Sequence, residues 1–485
     1  MGMKQAWKRC PRVHAIFLLV CFTFMLYSNL ADPMARSLVV CDEPLNASIF
    51  TGSSRCGDRL LVIERGQELV AGAKVVRLGV TVASATALGV VADVRGRKAF
   101  LMIYLIAMLA SVLCNACTVS LEPTEAWFGF MAAAAFAGFF SVDQNGYRLI
   151  LADMAEADGD KSKLGDLYQL QVFSQALSSA AGLGASLVVT SLHFTSYSGV
   201  CLPIAGLLGA CMLLVASMEE PRSESKRVAS AGPDAEHASV LDTMRETVRL
   251  LKGNEYLRRK LPIMMCGGVV ESFGAVLAPF TMAVYGWEQA SAGKLIVIGA
   301  PMMMICLGLS MPIARRIGER RAVSFCLWIG IVAIPPLLLL LPLSTTFLHI
   351  THALLIMNQT LPRCLLSAVD IQLTDEGIRA RFNAALSVGK MTIGMVMQPI
   401  VSWLFDATAK DYLTQVTFDD QQMDSVVRPI AIMAIFVFAV NFMQIFPPCG
   451  PMYMEGLDAM TADRLAKADR SEGSQAAAGE SKKED

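Results

Sequence analysis

The chain has 485 residues, 54% of them hydrophobic and 17% charged, and its mean hydropathy is +0.50. Soluble domains carry about 25% charged residues, so this balance excludes an ordinary soluble protein and points to many membrane-spanning helices. The net charge of -1 gives no sign of a nucleic-acid partner, and long apolar runs without alternation exclude a β-barrel.

Residues 1–12 are basic, with Lys4, Lys8, Arg9 and Arg12, and the apolar run His14–Leu30 follows. The pattern resembles a signal peptide, but it is read as a retained first span, because the count below needs it. Asp32–Gly72 is expected to be a long polar loop outside the cytoplasm. It contains the glycosylation acceptor pattern Asn46-Ala47-Ser48. It also contains Cys41 and Cys56, for which a disulfide and two separate thiols both stay open.

Spans two and three, Val75–Ala92 and Ala99–Thr118, flank GVVADVRGRK, Gly89 to Lys98. Each run can cross about 30 Å of hydrocarbon as a helix, so the short turn makes an antiparallel hairpin. Asp93, Arg95, Arg97 and Lys98 cannot sit in lipid, and cations at a short turn favour the cytoplasmic face. Gly89 and Gly96 permit the tight turn and close helix approach.

Span four, about 126–151, has a polar inner third with Asp143, Gln144, Asn145 and Arg148, followed by Asp153. Spans five and six lie near 164–190 and 199–218. The stretch 219–260 is hydrophilic, and Val240–Leu251 has the spacing of an amphipathic helix on the membrane surface. Six further spans fall near 261–285, 292–314, 322–343, 346–371, 382–405 and 426–447. The expected organisation is therefore a six-helix half over 1–218, a cytoplasmic loop over 219–260, a second half over 261–447 and a disordered tail over 448–485.

An internal repeat supports this division. MPIARRIGERR, Met311 to Arg321, follows span eight as GVVADVRGRK follows span two. Aligning Gly318 with Gly96 sets Ala314 on Ala92, Arg320 on Lys98 and Arg315 on Asp93, so the copy has lost its acid. Arg315, Gly318, Arg320 and Arg321 form this second loop. With Arg258, Arg259, Lys260, Arg379 and Arg381 also at expected inner ends, both termini are expected in the cytoplasm.

The pattern Gly-x-x-x-Asp-x-x-Gly-Arg-Lys/Arg, filled by Gly89, Asp93, Gly96, Arg97 and Lys98, resembles the signature loop of the major facilitator superfamily. The resemblance implies an all-α fold of twelve transmembrane helices in two six-helix pseudo-repeats, working as a monomer by rocking of the halves. It also implies that the loop acid caps the start of span eleven and that Arg97 reaches Asp153 or Asp143. Arg148 would join that network. AAGLGAS in span five, Ala180–Ser186, has glycines but lacks the proline usual in drug–proton antiporters, and sugar-porter motifs are absent.

Charged groups inside spans are costly and are functional candidates. Glu271 lies roughly 15 Å into span seven and Lys390 roughly 12 Å into span eleven, near the depth where such proteins bind. Glu271 is a candidate proton or substrate group, and Lys390 either attracts an anion or pairs with Glu271. In span ten Asn358, Gln359 and Arg363 surround Pro362, and the resemblance turns that span to the cavity. Asp143 is a further candidate proton relay. Arg77 has two readings, part of an outer vestibule with Asn29 and Asp32 or a snorkelling residue, and snorkelling is preferred.

No metal-spaced cluster, nucleotide loop or nucleophile elbow occurs, so no enzyme activity, metal or cofactor is expected. The expected function is ion-driven or facilitative transport of a small organic solute, anionic or zwitterionic, with proton coupling. Two alternatives stay open: a multidrug antiporter exporting amphipathic cations, and a non-transporting receptor or scaffold.

Overall fold

The computed structural model describes residues 11–40, 59–118, 123–139, 143–157, 164–191, 197–220, 252–274, 301–306, 312–374, 379–413 and 420–481, with a few isolated residues between them. Among these residues the chain is helical and contains no strand. In order the helices are α1 (Pro11–Val40), α2 (Arg59–Val94), α3 (Arg97–Thr118), α4 (Pro123–Gly138), α5 (Asp143–Ala157), α6 (Leu164–Ser191) and α7 (Tyr197–Ala216). Then come α8 (Glu255–Gly274), α9 (Glu319–Val332), α10 (Ile334–Leu339), α11 (Thr345–Gln372), α12 (Arg379–Leu413), α13 (Asp420–Ile445) and α14 (Gly450–Ser481). Residues 301–306 and 312–317 are also helical.

Helical residues fall in each of the twelve expected spans. Pro11–Ser28, Arg97–Thr118, Glu319–Leu339 and Arg379–Leu404 are each long and apolar enough to cross a bilayer, with mean hydropathy from 1.3 to 2.3. Large apolar side chains such as Phe128, Leu202, Leu213, Phe325, Val332, Trp403 and Ile435 stand exposed around the bundle. So much uncovered apolar surface suits a hydrocarbon surround and not water. The protein is an integral multi-pass membrane protein, all-α among the described residues.

Several expectations need correction. The polar loop after span one is shorter than expected, since α1 continues to Val40 and α2 begins at Arg59. Span four is divided into α4 and α5, and span nine into α9 and α10, where Pro335 and Pro336 remove amide donors at the break. The tail expected to be disordered from 448 is helical over Gly450–Ser481. Tyr453 and Leu457 are buried against the bundle, so apolar spacing at the start of α14 outweighs the polar composition beyond it. α13 and α14 meet at a bend of 54°. The acids Glu455, Asp458 and Asp463 mark α14 as a surface helix rather than a continued span. The glycosylation pattern at Asn46, Cys41, Cys56 and most of Val240–Leu251 lie outside the described residues.

Helices α1–α7 pack chiefly among themselves, as do α8–α13. The largest seam between the two groups is α2 against α12, with α6 against α11 a second. Gly89 makes the first seam close: a Cβ there would lie 3.0 Å from that of Ala384 and 3.2 Å from the Ala380 carbonyl. The repeat loop keeps the backbone of the signature loop. Gly96 and Gly318 both take positive φ, 104° and 94°, each opening a new helix, and Ala92 and Ala314 are both buried.

Candidate functional site

The signature loop and its surroundings occupy one face of the bundle, here the loop face. Arg97 is fully buried and donates from Nε to Asp153 at 2.8 Å and from Nη1 to Asp93 at 3.0 Å and to the Ala92 carbonyl at 2.8 Å. Of the two acids expected for Arg97, the structure places Asp153 against it; the side chain of Asp143 lies outside the described residues. The other oxygen of Asp93 accepts from the backbone amide of Arg381 at 3.2 Å, at the start of α12, with the Arg381 guanidinium 3.6 Å away. A carboxylate there opposes the positive end of the helix.

Two further ion pairs join the groups at this face, and sequence reasoning did not single them out. Glu156, on α5, pairs with Arg379, both almost fully buried. Asp166, in the first turn of α6, pairs with Arg315. The acid missing from the repeat loop is therefore a swap and not a loss. After span two an acid meets a base at the start of α12; after span eight a base meets an acid at the start of α6. In all three contacts the acid belongs to the first group and the base to the second. Arg148 is half-buried beside Tyr168, whose hydroxyl donates to the Arg148 carbonyl at 3.2 Å. Arg95 and Arg321 are exposed, while Arg320 pairs with Asp458 of α14 at 2.7 Å.

Within the first group, Glu220 and Lys98 cap each other's helices. The Glu220 carboxylate accepts from the amides of Arg97 at 2.9 Å and Lys98 at 3.0 Å, at the start of α3. In return Lys98 Nζ donates to the Ala216 carbonyl at 2.6 Å, the end of α7. Orphan amides and orphan carbonyls are satisfied together.

In the second group, polar side chains of α8 and α11 mark the space between these helices, here called the cleft. At the loop face Lys260 of α8 pairs with Asp370 of α11, and Tyr256 donates to the same carboxylate. The ammonium lies 5.8 Å from the Tyr256 ring and 6.0 Å from that of Tyr453 on α14. Burial, then the Asp370 charge, raises both phenols well above the usual range, so both stay protonated. Asp370 is thus held by both Lys260 and Tyr256.

Counted from Lys260–Asp370 with ideal helix rise, Gly267 would fall level with Arg363 and Glu271 with Gln359. A Cβ at Gly267 would meet nothing within 4 Å. Gln359 and Arg363 are exposed on the same side of α11 as Asp370. Glu271 is ion-paired to Lys390 of α12, with side chains 62% and 22% exposed. Glu271 lies on the side of α8 away from exposed Pro262 and Met265, and Lys390 on the side of α12 away from Thr392, Val396 and Trp403. The pair is thus turned inward, yet open. An open ion pair facing lipid is costly, which fits a pair that faces the bundle interior.

Asn358 does not belong to the cleft. It is buried and donates to the Cys326 carbonyl at 2.8 Å and to Asn441 Oδ1 at 2.7 Å. Its bonds tie α11 to α9 and α13. One residue round the helix decides between Asn358 inside the packing and Gln359 in the cleft. Among the described residues no group of three His, Cys, Asp or Glu side chains is placed to hold a metal.

Solved structures with the same architecture share little sequence. The human organic anion transporter MFSD10 (TETRAN) aligns with TM-score 0.62 and 16% identity, over 88% of this chain and 99% of that one. The proton:xylose symporter XylE bound to 6-bromo-6-deoxy-D-glucose gives 0.60 and 14%, over 95% and 100%. FucP in the outward conformation gives 0.53 and 14%, over 88% and 98%. No curated protein sequence matches at significant similarity. The sequence profile of the Major Facilitator Superfamily matches residues 69–417. With that match, the signature turn at Gly96 and two helix groups clasped at the loop face, the chain belongs to the major facilitator superfamily.

Proposed function

We propose that the protein is a secondary transporter of small organic anions or zwitterions, with Glu271 as its proton-coupling group. The observation that carries this reading is the Glu271–Lys390 pair, turned to the interior and still open. Lys260 is paired with Asp370 and Lys390 with Glu271, and Arg363 adds a further cation on α11, which suits a carboxylate more than an amphipathic cation. A solute carboxylate competes with Glu271 for the Lys390 ammonium, so binding of solute and the state of Glu271 are linked. The proposed linkage loads solute and proton together.

The two helix groups are taken as rocking halves, with the loop face as the cytoplasmic gate, closed here, and both termini in the cytoplasm. The ion pairs at this face exist in one state and break in the other, which gives the alternation a definable energy difference. One chain contains both groups and the cleft, so a monomer is the expected working unit. Of the structural neighbours, MFSD10 is an organic anion transporter and XylE a proton symporter, in keeping with this reading.

Uptake of labelled organic acids, amino acids and lipophilic cations by the purified protein in liposomes tests it, with and without an inward proton gradient. Gradient-driven uptake of acids, with the gradient dependence lost in Glu271→Gln, is the expected result. Uptake of acids that ignores both gradient and variant would remove the proton role. Uptake of lipophilic cations alone would overturn the substrate class.

A further inference from the structure

We propose that Arg77 of α2 is a second anion-binding residue, which completes from the first helix group the site that Lys390 and Glu271 begin in the second. The proposal rests on reading that site as one for organic anions. Arg77 lies midway along α2, where a guanidinium facing hydrocarbon is costly. It is half-buried, on the side away from exposed Ala83. Its guanidinium carbon lies 5.9 Å from the ring centre of Phe24 on α1. The guanidinium is thus held beside α1, in place of the snorkelling expected from sequence.

Its height in the bundle follows from its neighbour. Leu78 meets α12 at Gly394: a Cβ there would touch Leu78 at 3.6 Å, the Gly268 carbonyl at 3.8 Å and Ser272 Oγ at 3.9 Å. Three helices from the two groups converge at this point. Arg77 precedes Leu78, Glu271 precedes Ser272, and Lys390 lies one turn before Gly394. The three charged residues thus fall within roughly 8 Å of one another along the bundle axis. Lys74 is half-buried one turn further from the loop face on the same side of α2.

Arg77 presents a planar fork that takes a carboxylate through two parallel hydrogen bonds, whereas Lys390 offers a single movable charge. In the absence of solute Glu271 occupies Lys390. A small organic acid replaces that internal carboxylate and reaches Arg77, so one solute holds both groups across the α2–α12 seam. Binding and closure become the same event. The ligand class is a small carboxylate, with a second acidic group favoured because two cations face it from opposite groups.

The test uses the full chain in liposomes with a labelled C4 dicarboxylate and its neutral diamide, in wild type, Arg77→Gln, Arg77→Lys and Phe24→Leu. Arg77→Gln should raise the half-saturating concentration of the acid by about tenfold or more and leave that of the diamide unchanged. Arg77→Lys should fall between, because it keeps charge and loses the fork. Phe24→Leu, which removes only the ring, should change neither by more than about twofold. If Arg77→Gln fails to fold, the acid-against-diamide comparison is read from Arg77→Lys. Equal effects on acid and diamide, or no effect while Lys390→Gln still impairs the acid, would overturn the role of Arg77 and leave the anion reading standing. Wild-type protein that carries no carboxylate would overturn both.

Discussion

Gly96 shows how much one residue of the signature loop has to satisfy. Its φ of 104° lies in the left-handed region, and a Cβ there would collide with the Glu220 carboxylate that caps α3. Alanine carries a backbone cost of about 1–2 kcal/mol and also displaces the cap. Gly96→Ala should therefore lower the melting temperature and slow transport more than Glu220→Gln, which keeps one acceptor oxygen. Thermal unfolding and initial uptake rates of the two variants check this. The turn glycine and its basic neighbours were legible in the sequence because a tight turn is a local demand. Glu220 was not, since it lies 123 residues from the amide it caps.

At the scale of elements, the three contacts between helix ends give the loop face an electrostatic polarity. Asp93, Glu156 and Asp166 face Arg381, Arg379 and Arg315. The Asp166–Arg315 pair is partly exposed at the arginine, and loss of one partner should cost about 1–2 kcal/mol of the closed state. Asp166→Arg and Arg315→Asp should each shift the protein toward the state open at the loop face, and the double swap should restore the balance. Accessibility of a cysteine placed beside the pair, probed with a membrane-impermeant reagent, reports that balance. A double variant no better than its worse parent would refute the pairing as a lock. Glu156→Gln leaves Arg379 buried without its charge partner and should open the same face more strongly, at about 3–5 kcal/mol.

For the whole molecule, α14 decides how rigid the second group is. It packs on α9, α11 and α13, with Tyr453 over Lys260, Asp458 on Arg320 and Thr461 donating to Glu319 at 3.0 Å. Next to α14, Cys449 is buried and its thiol is pushed up to about 11 by that burial. Maleimide labelling of Cys449 at neutral pH should be slow in the full chain, and about tenfold faster or more in Tyr453→Ala as α14 loosens. Equal rates would mean that α14 is held without the aromatic contact.

By itself the sequence determined the apolar spans, the signature turn and its repeat, and the nomination of Glu271 and Lys390. Apolar run length, turn glycines and charge at depth are local quantities, and local quantities can be read in order along a chain. Tertiary structure decided between the charge pairs the sequence left open and added those it did not offer. Arg315 finds Asp166 across 149 residues, and the swap of acid and base between the two loops is invisible until both partners are seen. It also decided that Asn358 locks α11 into its own group while Gln359 faces the cleft. A helix offers every direction in turn, and only the packing of its neighbours selects which one becomes the site.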